Sequence, residues 1–243
     1  GSEILENLEK LPYRISYYDT YGEQIERPDF SKPTGITKSS ILNKYFEAIG
    51  GKEKLEKVNA LMTMGEAVLQ GGAMTLNLVT IQAKPNKLSV MMLMMGNIMM
   101  RQVFNGEDGY IMQQGQKIPF PEEEKQKLIS SSLPFEELSW INDENVTFSS
   151  VSEEDGLKQY ALKIDDKTTV FFDADSGLKT KQVTMTPTPQ GEMSPQATIY
   201  EDYREVDGIL FPYVIKIPMG PQMLEFNTKE IKLNPVVSDS DFN

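Results

Sequence analysis

Lys87-Leu-Ser-Val-Met-Met-Leu-Met-Met-Gly-Asn-Ile-Met-Met-Arg-Gln-Val-Phe-Asn-Gly-Glu-Asp-Gly-Tyr-Ile-Met112 is the stretch on which the fold turns. Gly96-Asn97 folds residues 87–95 back onto Ile98-Met99-Met100. Asn105-Gly106 is a strong hairpin signal, because both residues tolerate positive φ, and it leads on to Tyr110-Ile111-Met112. Connections this short make the three strands antiparallel neighbours. Alternation places Leu88, Val90, Met92 and Met94 on one face and Met91, Leu93 and Met95 on the other. Both faces are apolar, whereas a meander with one wet face alternates apolar and polar. Met91, Met92, Met94, Met95, Met99 and Met100 are six of the chain's 14 methionines. One reading is a central strand buried on both sides. The other is a soft lining for a greasy ligand or a partner surface, which the unbranched thioether suits. Each such side chain contributes about 1.5–3 kcal/mol on burial. Two bare apolar faces would invite aggregation, so at least one of them meets something other than solvent.

Upstream, Leu61, Thr63, Gly65 and Ala67 alternate with Met62, Met64, Glu66 and Val68. Gly71-Gly72 turns the chain into Met74, Leu76, Leu78 and Thr80, and Pro85-Asn86 turns it again. Before these strands, Thr37 is an N-cap candidate for a helix over 38–49. Ile41, Leu42, Tyr45, Phe46 and Ile49 form its apolar stripe, and Gly50-Gly51 stops it. Downstream, Pro121 at N1 and Glu122-Glu123-Glu124 open a helix whose dipole favours early acids. A second short helix is expected over 133–139. Strands resume at Val146–Val151, Gln159–Ile164, Thr169–Phe172, Leu178–Thr186, Ala197–Tyr203, Leu210–Ile217 and Leu224–Leu233. Asp155-Gly156, Asp165-Asp166, Asp175-Ser176-Gly177 and Asp207-Gly208 supply the turns, and the Pro-rich stretch 187–195 a longer connection. The pattern is a long antiparallel meander with one solid helix before it and helices inserted midway. At the start, residues 3–10 have helical spacing ended by Pro12, Tyr13 to Tyr18 alternate like a strand, and residues 26–36 read as a Pro-containing linker. Gly1-Ser2 reads as an added dipeptide on a piece of something longer.

The chain has 243 residues with no histidine and no cysteine. A Ser-His-Asp or Cys-His constellation therefore cannot be built, nor a disulfide or an iron–sulfur site. Zinc would need carboxylates alone. A formal charge of −12 argues against nucleic acid and against a polybasic membrane contact. No apolar run is long enough for a membrane-spanning helix. Asp173-Ala-Asp175-Ser-Gly177 opens like a calcium loop, but its twelfth position is Thr184 rather than glutamate, so it reads as a turn. The acid runs at Glu122–Glu124 and Glu153–Asp155 read as a helix start and a solvated turn, and Asp239-Ser-Asp241 as a polar tail. Gly50-Gly51 and Gly71-Gly72 match no nucleotide-binding spacing. No catalytic residue, metal ligand or cofactor is assigned.

Several landmarks together resemble a family. Tyr45-Phe-Glu-Ala-Ile-Gly-Gly-Lys-Glu-Lys-Leu55 is similar to the opening of lipoprotein-carrier-like domains of the LolA/LolB-like superfamily. Lys84-Pro-Asn-Lys87, Phe104-Asn-Gly-Glu-Asp-Gly-Tyr110, Phe172-Asp-Ala-Asp-Ser-Gly-Leu178, Asp202-Tyr-Arg-Glu-Val-Asp-Gly-Ile-Leu-Phe-Pro212 and Ile231-Lys-Leu-Asn234 follow in the family's order. This resemblance covers residues 37–243. Residues 3–36 resemble the last helix and strand of an M16 (insulinase-like) zinc peptidase, a kind that in Bacteroidetes often carries such a domain at its C-terminus. The M16 motif HxxEH is absent from a histidine-free chain, so no peptidase residue carries over.

The resemblance implies a mainly β fold: an antiparallel half-open β-barrel covered by a few α-helices, with a short N-terminal α/β remnant. It implies two parts, residues 1–36 and the half-barrel domain 37–243, and a periplasmic location. It also implies an apolar cavity for a lipid or lipidated chain. The expected lining is Ile41, Tyr45, Leu76, Leu78, Val90, Met92, Met94 and Met100. The competing expectation is a ligand-free accessory domain that packs on its parent M16 peptidase.

Overall fold

A computed structural model describes residues 17–18, 24–25, 32–69, 75–113, 115–154, 156–188, 191–219 and 222–243. β1 (Tyr17–Tyr18) and β2 (Gln24–Ile25) pair as a small antiparallel ribbon. The helix expected over 3–10 and the Gly71-Gly72 turn lie outside the described residues. So do most of the strand at Tyr13–Tyr18 and most of the linker.

Every other strand among the described residues belongs to one sheet of 13 antiparallel strands. β3 (Ala60–Leu69), β4 (Thr75–Ala83), β5 (Lys87–Met94), β6 (Asn97–Phe104), β7 (Gly109–Gln113) and β8 (Gln116–Pro119) form one meander. β9 (Thr147–Glu154), β10 (Leu157–Lys163), β11 (Thr168–Asp173), β12 (Lys179–Pro187), β13 (Met193–Val206), β14 (Ile209–Met219) and β15 (Gln222–Leu233) form the other. The last strand returns to pair with β3, so the spatial order runs β8 to β3, then β15 down to β9. β8 and β9 are edges, and the sheet is not closed. Lys117 and Pro119 on β8 discourage a further strand from pairing there.

Helices cover one face, here called inner. α1 (Lys38–Ile49) is capped by Thr37, whose side chain accepts from the Ser40 amide. Its stripe of Ile41, Leu42, Tyr45, Phe46 and Ile49 is buried in the main core with Phe172, Ile209 and Phe211. Gly50 and Gly51, at φ 133° and 95°, end it, and Gly50 lies so close to the Gly208 carbonyl that no side chain fits. The short α2 (Lys52–Glu56) follows. Between the meanders, α3 (Glu122–Ser131) sets Leu128 against Leu88, Phe104 and Phe120. Gln82 of β4 donates to the carbonyls of Ser131 and Leu133, pinning the end of α3 to the sheet. α4 (Glu137–Trp140) places Trp140 in the main core.

Local details depart from the sequence reading for identifiable reasons. Pro121 is the N-cap of α3 rather than its first residue, with an extended ψ of 153°. The second helix starts at Glu137, not 133, because Pro134 disfavours helical backbone at Leu133. Asn105-Gly106 is half of a four-residue turn, in which the Asn105 carboxamide oxygen accepts from the amides of Glu107 and Asp108. The Pro-rich connection is shorter than expected, since β13 begins at Met193 and Pro195 pairs opposite Met185. The polar tail is a structural element. Asp239–Phe242 form a 3-10 turn capped by Ser238, and Phe242 is buried on the outer face with Ala60, Ile81 and Ala83. Lys87 pairs with Asp239 at 2.6 Å, and the Arg101 guanidinium donates to the Ser240 and Asp241 carbonyls.

Candidate ligand-binding site

Directly opposed residues on antiparallel strands share a face, so the pairing register traces the inner face across the sheet. Met100 faces Met92, Met92 faces Leu78, and Leu78 faces Gly65. Leu76 faces Ala67, Ala67 faces Phe226, Phe226 faces Ile215, and Ile215 faces Tyr200. Tyr200 reaches Gln182 of β12 through its hydroxyl, at 3.5 Å. An apolar floor thus runs from β6 to β14 and ends on polar side chains at β12 and β13.

The helices cover only the lower part of this floor. α1 meets the lower turns, where Lys44 donates to the Ala174 carbonyl and Lys54 to that of Gly208. α3 covers the lower halves of β5 and β6. The upper halves stay open, and Leu76, Leu78, Val90, Met92, Met94 and Met100 are half-buried. Apolar exposure continues to the upper rim, where Met95 is 93% exposed, Ile98 49% and Met193 44%.

The expected lining residues therefore fall into two groups. Leu76, Leu78, Val90, Met92, Met94 and Met100 come together on β4, β5 and β6. Ile41 and Tyr45 lie apart from them, buried in the main core, where the Tyr45 ring meets Phe172 edge-on at 5.2 Å. β5 is sealed on both sides only at Leu88 and Ser89, and from Val90 to Met94 both faces are half-exposed. The methionine strand is thus not a two-sided core strand along its length. On the outer side the C-terminal turn covers its lower end.

The polar end of the floor is a second feature. α4 faces β10, β11 and β12 across a cleft of about 640 Å³, lined by Glu136, Trp140, Asp143, Lys163, Asp165 and Gln182 among others. Beside it lies a buried ion pair, Lys179 to Glu137 at 2.5 Å, with the Lys179 ammonium 4.6 Å from the Tyr200 ring centre. Burial alone disfavours that ammonium, but Glu137, Tyr200, Tyr45 and Glu136 outweigh burial and hold its pKa above the ordinary range. The Tyr45 hydroxyl is pushed up by burial and then by the negative charge of Glu137. Glu136 is pushed up to about 7, first by burial and then by Glu137, with Lys179 partly opposing. Among the described residues, no group of three or more acids is placed to hold a metal ion.

Two signals in the sequence mark these regions without relying on local periodicity. Runs 67–83, 88–100, 109–116, 193–200 and 217–224 contain no charged residue in a chain that is 25% charged. Among the described residues they cover β4, β7, nearly all of β5 and the upper ends of the other neighbouring strands. Glu136-Glu137 is an acid pair set between Phe135 and Leu138 rather than in a polar turn, a placement that demands compensation on folding.

No protein-family model and no curated protein matches the chain. Solved structures do. A LolA superfamily protein from Nitrosomonas europaea aligns with a TM-score of 0.58 at 14% identity, over 86% of this chain and 98% of that one. The fold is LolA-like. A DUF1329 family protein from Desulfovibrio piger aligns with a TM-score of 0.53 at 10% identity, over 84% of this chain and 96% of that one. At such identities the likeness is one of backbone architecture. The LolA-like sheet of this chain carries its own side chains on the inner face.

Proposed function

We propose that this LolA-like domain is a non-catalytic binding module that holds an apolar chain, of a lipid or a lipidated molecule, along the open inner face of β4, β5 and β6. The observation that carries this reading is the Leu78–Met92–Met100 row, directly opposed across three strands and left half-exposed above the helices. Apolar area held out of water contributes about 25 cal/mol per Å². A ligand chain that covers such a row gains this term without asking the sheet to move. Methionine lets the surface fit chains of different shape. The run 88–100, which forms the β5–β6 turn, carries no charged side chain, so a chain entering past that turn desolvates no ionic group there. Without histidine and cysteine the chain offers no imidazole base and no thiolate nucleophile. The LolA-like resemblance adds a periplasmic setting.

Titration with the neutral dye N-phenylnaphthylamine tests the reading. Saturable fluorescence enhancement is expected in the wild type, and a loss of about tenfold in affinity in Met92→Glu. No enhancement in the folded wild type, or equal binding by the variant, would overturn it.

A further inference from the structure

No residue that faces inward on β3 to β6 is charged. The charged residues of these four strands are Glu66, Lys87 and Arg101, and the register sends each of them outward. There Glu66 pairs with Lys229, Lys87 with Asp239, and Arg101 with carbonyls of the C-terminal turn. Inward, a second row runs below Leu78–Met92–Met100, about 7 Å nearer the helices. It consists of Thr63, Thr80, Val90 and Gln102, each directly opposed to the next. One step lower still, the Gln82 carboxamide is spent on the Ser131 and Leu133 carbonyls. Thr63, Thr80 and Gln102 are half-buried, and no described residue shares a hydrogen bond with any of these three side chains. A neutral, hydrogen-bonding row thus lies at the foot of the open apolar floor. A pure hydrocarbon reaching it would strip its water and return no hydrogen bond, which is costly.

From this row we infer that the ligand is an uncharged amphiphile held with its polar end inward. Its hydroxyl- or ester-bearing head meets Thr63, Thr80 and Gln102, and its chain rises over Leu78, Met92 and Met100 toward the β5–β6 turn. The inference rests on the binding reading above and narrows it to a ligand class and an orientation. Threonine hydroxyls and a glutamine carboxamide both donate and accept, which suits hydroxyls and ester carbonyls. Neighbouring strands lie about 4.8 Å apart, so one glycerol head reaches Thr63 and Thr80 together. A carboxylate, phosphate or ammonium in the same place would lose water with no opposite charge on this face to replace it.

Calorimetric titration of the intact protein with glycerol monododecanoate, dodecanoate and dodecylammonium, which share a chain length and differ in head charge, tests the assignment. The wild type is expected to bind the neutral ester at least about tenfold more tightly than either charged amphiphile. The general field of a −12 protein attracts one of the charged pair and repels the other, so it cannot produce a preference over both. Thr80→Val, which removes the hydroxyl at nearly constant shape, and Gln102→Met are each expected to reduce that preference about three- to tenfold, the effect of one hydrogen bond. Equal or tighter binding of a charged amphiphile by the wild type, or an undiminished preference in both variants, would overturn the polar-row assignment and leave the apolar-chain reading standing. Failure of all three amphiphiles and of the neutral dye to bind would overturn both.

Discussion

Glu136 carries a proton in the fold at pH values where an ordinary glutamate does not. Its pKa stands at about 7 against an ordinary 4.5, because burial and the neighbouring Glu137 both disfavour its charge. The folded protein therefore keeps a proton that the unfolded chain releases between those values. The stability linked to this group is complete below the ordinary pKa and is lost as pH rises through about 7. Each pKa unit is about 1.36 kcal/mol, so the loss is at most about 3 kcal/mol. Denaturant unfolding of wild type and Glu136→Gln from about pH 4.5 to 8 checks this. The difference is expected to shift in favour of the glutamine variant as pH rises, and a constant difference would show that Glu136 titrates normally. Glu137 is a separate case, because its buried partner Lys179 satisfies its charge. Two adjacent residues of one type thus have opposite situations, Glu137 paired with an ammonium and Glu136 with no ion pair among the described residues.

At the scale of elements, the C-terminal turn acts as a lid on the outer face. Its capping box, Ser238 with Asp241, fixes the backbone, and Phe242 fills the space over Ala60, Ile81 and Ala83. Phe242→Ala is expected to cost about 3–5 kcal/mol in urea unfolding, the usual range for a buried phenylalanine, without changing affinity for the neutral dye. A loss of dye binding at unchanged stability would instead place the ligand on the outer face. α1 shows how much of an element a sequence can carry by itself. Thr37, a five-residue apolar stripe and Gly50-Gly51 state its start, buried side and end, and all three hold in the structure. The C-terminal turn was illegible for the opposite reason. Asp239, Ser240 and Asp241 are polar, and what makes them structural is the burial of Phe242 against strands far away in sequence. α4 was blurred because Pro134 and the neighbouring Phe135 and Trp140 are placed by tertiary packing rather than by helical period.

For the molecule as a whole, the antiparallel meander was legible because nearly every connection is a short turn with its own chemistry. The pairing of β15 with β3, which joins the two meanders, has no local signature and comes from the register of the assembled sheet. The open inner face was half legible. Alternation separates Val90, Met92 and Met94 from Met91 and Leu93, but it cannot say which set lies inward. Helix stripe and sheet stripe look alike in a sequence, so nothing local separates Ile41 and Tyr45 from the strand residues although they pack in the core below. What decides is where the helices stop: they fill the lower inner face and leave Leu78, Met92 and Met100 open above. The most direct test uses the methionines as reporters. With carbon-labelled methionine methyl groups, addition of methyl stearate should give intermolecular nuclear Overhauser contacts to Met92, Met94 and Met100 and none to Met62, Met64 and Met91 on the outer face. Contacts to the outer set instead, or to neither set, would contradict the account.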